Sequence, residues 1–508
     1  MARLEDSVND KAERCSTDAG GGGDCHCCSS GPVSPGPGTR DGFDLVVLGG
    51  GSAGFAAAIK AAESGASVAM VNSGTLGGTC VNVGCVPSKA LIRAAEANHR
   101  RQHHPFAGVP RGNGAVDWAA VRGQKDTLVA DLRQAKYRDV LAGYQGIELF
   151  EQRGTVGSDG SVTLADGMVV KGRSLIVTTG SSPRVAPIAG LAEARYLTST
   201  TLMELDQLPR SLIVIGASIV ALELGQAYAR LGVSVTIMTR RDRVLPHEDP
   251  AIGEALMGYV RDEGMEVLTE VTYDRVTRDR RYTVHYRRGG QVQTVSAEQL
   301  LVATGRQPNT AGFGLEEAGV ELGPQGQIVV DENLHTANPS IYAAGDVTGE
   351  PMYVYVAAYA GTVAADNALA EGTAAPRTYD LRALPKVTFT DPGVASVGLS
   401  EAEARSVGHQ VITSVLPLDH VPRSLAARDT RGFVKLVADG ASRRILGAHI
   451  LASEAGEMIM EPTLAIKFGL TIEDLTATFH PYLTLSEGIK LAAQTFDKDV
   501  AQLSCCAA

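Results

Sequence analysis

Two segments of this chain are each predicted to fold as a strand, a glycine-rich turn, a helix and a second strand. The first begins with the apolar run 43–48 and the second with the run 211–215. The residues at the two turns are Gly49, Gly51 and Gly54 in the first unit, and Gly216 and Ser218 in the second. Glycines in such turns allow a tight bend, close approach of a pyrophosphate and close contact between helix and strand. The sequence therefore predicts an α/β protein with two Rossmann-like dinucleotide-binding domains, which implies two nucleotide cofactors or a duplicated domain.

The pattern changes after about residue 382. Short runs with strand character at 387–389, 394–397, 433–437 and 445–448 are followed by helical segments. Short strands of this kind are typical of an antiparallel sheet. We expect a third domain of the α+β class, followed by a short tail.

The length and net charge of the chain indicate how many domains it forms and which partners are disfavoured. At 508 residues the chain is long enough for about three domains. Its formal net charge of −11 disfavours nucleic acid and anionic membranes as partners. We found no apolar run of transmembrane length and no signal-peptide core, so we expect a cytoplasmic protein.

Cysteines are concentrated in one internal motif and at the two ends of the chain. Cys80 and Cys85 are separated by four residues and open a predicted helix directly after the first nucleotide-type unit. A thiol at the start of a helix is favoured as a thiolate by the helix dipole. Such a pair can be oxidised to a disulfide, be reduced again, or hold a soft metal ion. This distribution suggests thiol chemistry in a reducing compartment.

Residues 77–89 resemble the redox-active motif of the flavin-dependent pyridine nucleotide–disulfide oxidoreductases. Segments 174–180 and 341–346 resemble further segments of that family. The resemblance implies that FAD and a nicotinamide nucleotide are bound. By this resemblance the FAD-contacting residues are Gly49, Gly51, Gly54, Asn72, Gly74, Gly78, Thr79, Lys89, Gly154, Gly180, Asp346 and Val354. It also implies that Lys89 pairs with Glu223 at the reactive edge of the flavin, with Cys85 nearer the flavin and Cys80 as the exchange thiol.

Both nucleotide-type units depart from the usual nucleotide-binding pattern. Asn72 replaces the acidic residue expected to bind the adenosine ribose, which predicts weaker FAD binding without charge assistance. In the second unit Ser218 replaces the middle glycine, and Arg240 and Arg241 follow the second strand. Guanidinium groups there suit the 2′-phosphate of NADPH, although a solvated run of charge is the alternative interpretation.

The C-terminal region distinguishes the branches of the family, which include dihydrolipoamide dehydrogenases, glutathione reductases and large thioredoxin reductases. Members that reduce organic disulfides use a histidine–glutamate pair to protonate the leaving thiolate. At the family's spacing from the glutamate, here Glu487, the position of that histidine is occupied by Tyr482. His480 lies two residues too early to take its place. Because tyrosine has an ordinary pKa near ~10, it is a poor proton shuttle at neutral pH. Organic disulfide reduction is therefore disfavoured.

The adjacent thiols of Cys505 and Cys506 favour a soft cation over a strained disulfide. Segments 419–423, 429–433 and 493–500 and the C-terminal tail resemble the branch that reduces Hg(II). That resemblance implies a metal path from Cys505 and Cys506 to Cys80 and Cys85, with Tyr137 near the inner site. It also implies a head-to-tail homodimer in which Tyr482 and the tail serve the partner's site. For Tyr137, a surface position on a helix is the alternative interpretation.

The function expected from this resemblance is NADPH-dependent reduction of Hg(II) to volatile Hg(0), as in mercury detoxification. The alternatives are a thioredoxin-reductase-like disulfide reductase and a non-catalytic flavoprotein that sequesters thiophilic metal. Many relatives begin with a metal-binding domain, whereas this chain has only a short tail, in which Cys25, His26, Cys27 and Cys28 form a cluster and Cys15 lies apart. Those cysteines either scavenge thiophilic metal or are a chance cluster.

The expected organisation follows from these patterns. The predicted segments are a flexible tail (1–41), a first FAD-binding part (42–185), an NADPH-binding domain (186–306), a second FAD or central part (307–381), a dimerisation domain (382–500) and a metal-binding tail (501–508).

Overall fold

The computed structural model describes residues 38–349, 351–370 and 375–502, where the strands form five sheets. The strands are β1 (Thr39–Leu48), β2 (Val68–Val71), β3 (Ile147–Phe150), β4 (Gly154–Val156), β5 (Val162–Leu164), β6 (Val169–Val177), β7 (Ser181–Pro183), β8 (Ser211–Ile215), β9 (Ser234–Met238), β10 (Glu266–Leu268), β11 (Thr272–Arg278), β12 (Tyr282–Arg288), β13 (Gln291–Ala297), β14 (Gln299–Val302), β15 (Arg306–Pro308), β16 (Ile341–Ala343), β17 (Lys386–Thr388), β18 (Gly393–Gly398), β19 (Val411–Pro417), β20 (Phe433–Asp439) and β21 (Ile445–Ala452).

The helices are α1 (Ser52–Glu63), α2 (Gly78–Val83), α3 (Cys85–His103), α4 (Trp118–Arg133), α5 (Asp139–Ala142), α6 (Ser199–Leu202), α7 (Ile219–Arg230), α8 (Pro250–Asp262), α9 (Val354–Leu369), α10 (Glu401–Ser406), α11 (Pro422–Ala427), α12 (Ala455–Met458), α13 (Met460–Phe468), α14 (Ile472–Ala477) and α15 (Glu487–Gln494). A π-helical turn covers Gln134–Arg138. Among the described residues, every helix is too short or too polar to cross a lipid bilayer.

The first nucleotide-type unit forms the centre of the largest sheet. Its parallel strands run in the order β3-β2-β1-β6, with β16 also parallel beside β6. Leu45, Val46, Val47 and Leu48 of β1 are all buried, as expected for a strand covered on both faces. The antiparallel strands β5 and β4 extend the sheet. This arrangement carries the carboxyl ends of β1, β2 and β6 to one edge, where the glycine turn lies.

The start of β1 differs from the sequence prediction. The predicted tail reached residue 41, whereas β1 begins at Thr39. Thr39 and Arg40 pair with Val169 and Val170 of β6, and Arg40 also forms an ion pair with Glu148 at 2.6 Å. Strand β1 therefore begins three residues before the predicted boundary at residue 42, because Thr39 and Arg40 pair with β6. Cys15, Cys25, Cys27 and Cys28 lie outside the described residues.

The second unit forms the predicted strand–turn–helix–strand from β8 through α7 to β9. Its parallel sheet has the order β10-β9-β8-β14, and an antiparallel meander of β11, β12 and β13 lies beside it. The third domain contains the predicted antiparallel sheet, in the order β17-β18-β21-β20-β19, with helices α10 to α15. The fold is therefore α/β with two nucleotide-binding domains and a C-terminal α+β domain, as the sequence predicts.

Helices α1 and α9 pack closely because small residues line their contact. A Cβ atom at Gly361 of α9 would lie only 2.1 Å from the carbonyl oxygen of Ala53 in α1. Ala57, Ala58, Ala360 and Ala364 are also buried in the same core cluster. This contact holds the first turn of α1, and with it the glycine turn, against α9.

We expect Gly361→Ala to destabilise the protein by about 1–3 kcal/mol, because the added methyl group overlaps the α1 backbone. Gly123 provides the matched control, since it lies exposed within α4 and a Cβ there would meet no atom within 4 Å. Gly123→Ala should stabilise the chain by about 0.5–1 kcal/mol through helix propensity. Denaturant midpoints of the two variants measure the difference. Equal midpoints would show that the added methyl group is accommodated between α1 and α9 without loss of stability.

Candidate redox-active site

The glycine turn after β1 leaves an open cradle at the start of α1. Gly49 has φ +123°, and a Cβ there would lie 2.3 Å from the carbonyl oxygen of Thr178. At Gly54 a Cβ would lie 1.9 Å from the carbonyl oxygen of Gly49. Gly51 is the N-cap of α1 and makes no side-chain cap, and the nearest atom to its missing Cβ is the Gly78 Cα at 3.9 Å. The free N–H groups of this helix end fit a pyrophosphate such as that of FAD.

Asn72 stands at the end of β2 and closes the neighbouring loop. Its Oδ1 accepts a hydrogen bond from the Gly50 N–H at 3.0 Å, and its Nδ2 donates to the Gly74 carbonyl oxygen at 2.6 Å. A Cβ at Gly74 would meet no atom within 4 Å. The side chain predicted to bind ribose therefore already bridges the glycine turn after β1 and the loop after β2, beside an open position at Gly74.

Asp346 lies in a polar cluster at the carboxyl ends of β6 and β16. Ser181 Oγ donates a hydrogen bond to Asp346 Oδ2 at 2.6 Å, and Arg306 Nε donates to Ser181 Oγ at 2.7 Å. Arg306 Nη2 also lies 3.4 Å from Thr79 Oγ1. The sequence analysis missed Ser181 and Arg306. A usable signal was the Thr-Gly pair that precedes each of them, at the ends of β6 and β14.

Three further predicted FAD contacts take different positions. A Cβ at Gly154 would lie 2.5 Å from Val162 Cγ1 and 3.0 Å from Val71 Cγ1, so core packing already requires glycine there. Gly180 has φ +70° and open space around its missing Cβ. Val354 is the first residue of α9. Gly154 can therefore contact a cofactor only through its backbone atoms, whereas the space beside Gly180 is open.

Cys80 and Cys85 lie on two helices rather than opening one. Cys80 is within α2, Cys85 is the first residue of α3, and Gly84 separates the helices with φ −122° and ψ −109°. In one continuous helix, residues five apart would point about 140° away from each other. A Cβ at Gly84 would lie 2.9 Å from the Thr79 carbonyl oxygen, so a side chain there would disturb the turn. The break brings the two thiols together.

The two sulfur atoms form an asymmetric pair in which both cysteines are free. A hydrogen bond from the Cys80 thiol lowers the pKa of Cys85 to about 7; burial opposes this shift, and the charge of Lys89 supports it. The same hydrogen bond, together with burial and the negative charge on Cys85, raises the pKa of Cys80. Cys85 is also at the N-terminus of α3, where the helix dipole favours an anion. In the reduced form Cys85 is therefore the thiol that ionises first, and Cys80 retains its proton.

Lys89 and Glu223 form an ion pair that joins two domains. Lys89 Nζ lies 2.7 Å from Glu223 Oε2, and the Glu223 side chain is only 3% exposed. The other oxygen of Glu223, Oε1, accepts a hydrogen bond from the backbone N–H of Phe389 at 2.9 Å. The Phe389 ring lies below Lys89 Nζ at 4.7 Å. Phe389 comes from the third domain, and no local sequence pattern predicts this contact.

Tyr137 lies in the π-helical turn beside the cysteine pair. Its ring contacts Phe55 at 4.7 Å between centroids. Burial raises the pKa of Tyr137, the electrostatic interaction with Cys80 adds to the shift, and a hydrogen bond with Ser52 opposes it. A cleft of about 460 Å³ next to it is lined by residues including Ser52, Phe55, Lys60, Lys136, Tyr137 and Val354. The structure therefore places Tyr137 near Cys80, at the side of an open cleft.

Tyr482 belongs to the third domain, on the loop between α14 and α15, and is 55% exposed. Both ring nitrogens of the nearby His480 are engaged, with Nε2 2.6 Å from Glu461 Oε1 and Nδ1 3.0 Å from the Thr478 carbonyl oxygen. The contact with Glu461 raises the pKa of His480. Glu487 Oε2 accepts a hydrogen bond from the Leu483 N–H at 3.2 Å. His480 is thus held inside its own domain.

The first glycine of the second turn has the same backbone angle and the same close packing as that of the first turn. Gly216 has φ +123°, and a Cβ there would lie 2.2 Å from the Ala303 carbonyl oxygen. Ser218 is the exposed N-cap of α7 and makes no side-chain cap. Arg240 and Arg241, after β9, are both exposed. These residues leave room for a nucleotide at the start of α7, with two guanidinium groups nearby.

The predicted outer metal site cannot be placed, since Cys505 and Cys506 lie outside the described residues. Within the described ranges, no group of three or more His, Cys, Asp or Glu side chains is arranged to hold a metal ion. The remaining thiophilic site in that part of the chain is the Cys80–Cys85 pair.

We expect Cys80→Ala to raise the pKa of Cys85 above its value of about 7, by about one to two pH units, because the hydrogen bond to the thiolate is lost. Cys80→Ser retains a donor and should leave the pKa near that value. The measurement is the pH dependence of Cys85 alkylation in the reduced protein, located by mass spectrometry. Alkylation requires the thiolate, so its rate falls below the pKa. Identical profiles for the two variants would show that Cys80 does not set this pKa.

Comparison with known proteins agrees with this geometry. The sequence model of the pyridine nucleotide-disulphide oxidoreductases matches residues 43–361, and that of the family's dimerisation domain matches residues 384–493. A mercuric reductase from Staphylococcus aureus is 48% identical over 470 residues, covering 92% of this chain and 85% of the relative. One from Streptomyces lividans is 49% identical over 473 residues, covering 92% and 98%.

Solved structures of related enzymes share the fold. The Cu(II) complex of the HOCl-induced flavoprotein disulfide reductase RclA from Escherichia coli superposes with a TM-score of 0.80 at 28% identity, covering 90% of this chain and 100% of that chain. LpdA from Mycobacterium tuberculosis gives 0.78 at 31% identity, covering 89% and 99%. The chain therefore belongs to the pyridine nucleotide-disulphide oxidoreductase family, in the branch that contains the mercuric reductases.

Proposed function

We propose that this protein reduces Hg(II) to Hg(0) with NADPH. The overall reaction converts NADPH and Hg(II) to NADP⁺, H⁺ and Hg(0). Support comes from the mercuric reductases to which the chain is 48% and 49% identical along most of its length. The observation that carries the proposal is the Cys85 thiolate, paired with the Cys80 thiol, in a chain whose third domain has no free histidine acid at the expected position.

The cysteine pair is suited to a thiophilic dication. Hg(II) favours two thiolate ligands and exchanges them by associative attack, and a soft cation of this kind selects thiolates over other side chains. When Hg(II) arrives bound to two small thiolates, Cys80, the exchange thiol, displaces one of them and gives its proton to that departing thiolate. The Cys85 thiolate then displaces the second, which leaves as a thiolate. The metal is then held by both cysteines with charge and protons balanced.

The two cofactors supply the electrons, since bound FAD and NADPH together deliver a hydride equivalent to the site. We assign FAD to the cradle formed by Gly49, Gly51 and Gly54, with Asp346 on its ribityl side and further contacts at Asn72, Gly74, Gly78, Thr79, Gly154, Gly180 and Val354. We assign NADPH to the turn at Gly216 and Ser218, with Arg240 and Arg241 on its 2′-phosphate. Lys89 and Glu223 then fix the charge beside the flavin.

Because a neutral metal atom leaves without a proton, the proposed reaction needs no histidine acid at position 482. Reduction of an organic disulfide leaves a thiolate that must be protonated, normally by a histidine paired with a glutamate. Here Tyr482 occupies that position, and His480 is held by Glu461 and the Thr478 carbonyl oxygen. Glu487, the usual partner of the histidine, binds the Leu483 N–H instead. This arrangement favours Hg(II) over a disulfide as the electron acceptor.

The dimerisation domain presents exposed apolar side chains, as a surface covered by a second copy would. Its large exposed residues include Met460, Phe468, Phe479 and Tyr482, of which Phe479 is 98% exposed. We assign this face to a homodimer in which Tyr482, Cys505 and Cys506 serve the partner subunit's Cys80–Cys85 pair. A reducing compartment such as the cytoplasm keeps all four thiols available.

We expect the purified holoenzyme to oxidise NADPH when Hg(II) is supplied with excess small thiol, and to release Hg(0) that can be trapped from the gas phase. Cys85→Ala should abolish this turnover, because the metal loses its inner thiolate. Gly123→Ala provides a control variant remote from the site. Turnover with a disulfide but not with Hg(II) would show that the chain is a disulfide reductase. Tight Hg(II) binding without NADPH oxidation would identify a sequestering protein.

We expect Arg240→Gln and Arg241→Gln each to lower the preference for NADPH over NADH by about tenfold or more, since a charge-assisted hydrogen bond to the 2′-phosphate is lost. The measurement is the ratio of kcat/KM for the two nucleotides. Arg287→Gln is the control, because Arg287 is an exposed arginine in the same domain that pairs only with Asp274 among the residues that the structure describes. An unchanged ratio in the double variant would mean that these arginines are a solvated charge run.

A further inference from the structure

A short segment of the dimerisation domain, residues 389–391, is bound along one face of α7. Phe389 N–H donates to Glu223 Oε1 at 2.9 Å. Gln226 makes two bonds to the Asp391 backbone, accepting from its N–H and donating to its carbonyl oxygen, both at 2.8 Å. Glu223, Gln226 and Arg230 are spaced three and four residues apart, so they share one face of the helix. The 389–391 segment therefore follows the same face of α7 that carries Glu223.

The carboxylate of Asp391 secures the end of this segment. Arg230 Nη1 donates to Asp391 Oδ2 at 2.9 Å, and Arg431 Nη2 donates to Asp391 Oδ1 at 2.9 Å. Burial would raise the pKa of Asp391, but the charges of Arg230 and Arg431 outweigh it and hold the pKa below its ordinary value. Arg230 is itself held by Glu263 at 2.5 Å. Asp391 is thus ionised and fixed between two arginines from different domains.

The binding of residues 389–391 to α7 determines which groups of Phe389 contact the Lys89–Glu223 pair. One oxygen of Glu223 binds Lys89, and the other binds the Phe389 N–H. The Phe389 ring lies 4.7 Å from Lys89 Nζ, a distance at which a ring face attracts a cation. Both contacts depend on the position of Phe389, two residues before Asp391.

We propose that Gln226 and Asp391 are positioning residues for the Lys89–Glu223 pair. They hold the N–H and the ring of Phe389 against that pair and so fix the charge presented to the reactive edge of the flavin. This inference rests on the proposed function, which places the pair at that edge. A purely structural role would instead confine their effect to the stability of the domain contact.

The direction of the effect follows from the two contacts. Without the Phe389 N–H, the negative charge of Glu223 is less well compensated. Without the Phe389 ring, Lys89 is less firmly placed and its positive charge acts less strongly at the site. Both changes disfavour added electrons nearby, so the midpoint potential of bound FAD should become more negative. Because the nucleotide turn at Gly216 is not altered, the KM for NADPH should stay constant while kcat falls.

The experiment uses the holoenzyme with Asp391→Asn, and Gln226→Leu as a second variant. We expect a more negative flavin midpoint potential, measured by spectroelectrochemical titration, and a kcat for NADPH lower by about tenfold or more at unchanged KM. Glu223→Gln serves as the benchmark: it removes the negative charge and leaves that of Lys89 uncompensated, so its potential should shift in the opposite direction, to more positive values. If Gln226→Leu does not fold, Asp391→Asn alone tests the positioning role, since this substitution retains the size of the side chain.

Asp249→Asn is the matched control. Asp249 is a buried aspartate on the second domain that binds Lys435 of the dimerisation domain at 2.7 Å, so its loss weakens an equivalent contact elsewhere. We expect its potential and kcat to match those of the unmodified protein. An equal shift in Asp249→Asn, or no shift in Asp391→Asn beside a clear shift in Glu223→Gln, would overturn the positioning role. No shift in Glu223→Gln would instead contradict the proposed placement of the pair at the flavin.

Discussion

The Lys89–Glu223 ion pair is the interaction on which the arrangement of the site depends. Lys89 lies four residues after Cys85 in α3, so both side chains are on one face of that helix. Glu223 is in α7 of the second domain, and its carboxylate also binds the third domain through Phe389. Because the Glu223 side chain is only 3% exposed, removing Lys89 would leave a buried carboxylate without its counter-charge, which is destabilising. The pair therefore fixes the relative positions of three domains and the charge around Cys85 together.

The thiol pair depends on this charge balance and on a break in the helix. Lys89 lowers the pKa of Cys85, whereas burial and the charge of Glu223 raise it. The hydrogen bond from Cys80 acts most strongly on Cys85, and it forms only because α2 ends at Val83 and α3 restarts at Cys85. The asymmetry of the two sulfurs is thus a consequence of backbone geometry first and of nearby charge second. It gives one nucleophile and one proton carrier without any histidine.

How well each feature of the fold and site could be predicted from the sequence depends on how far apart in the chain the interacting residues lie. The parallel strands and glycine turns were predictable because apolar runs and backbone sterics are local properties, as at Gly49 and Gly216. The split between Cys80 and Cys85 was not, because Gly84 allows either a continuous or a broken helix. Phe389 could not be found either, since its contact with Glu223 joins residues 166 positions apart in different domains. Sequence pattern identifies which residues carry chemistry better than it identifies what holds them.

Asn72 illustrates how a departure from a family pattern can be compensated. A carboxylate at this position could accept the Gly50 N–H, but it could not donate to the Gly74 carbonyl oxygen as the amide does. Exchanging a charged acceptor for a neutral one lowers the value of a ribose contact by roughly 1 kcal/mol, about fivefold in affinity. The amide in return fixes the loop from Asn72 to Gly74 before any ligand binds, which reduces the ordering cost of binding. At the FAD site that we propose, a change of this size alters the affinity without removing the site.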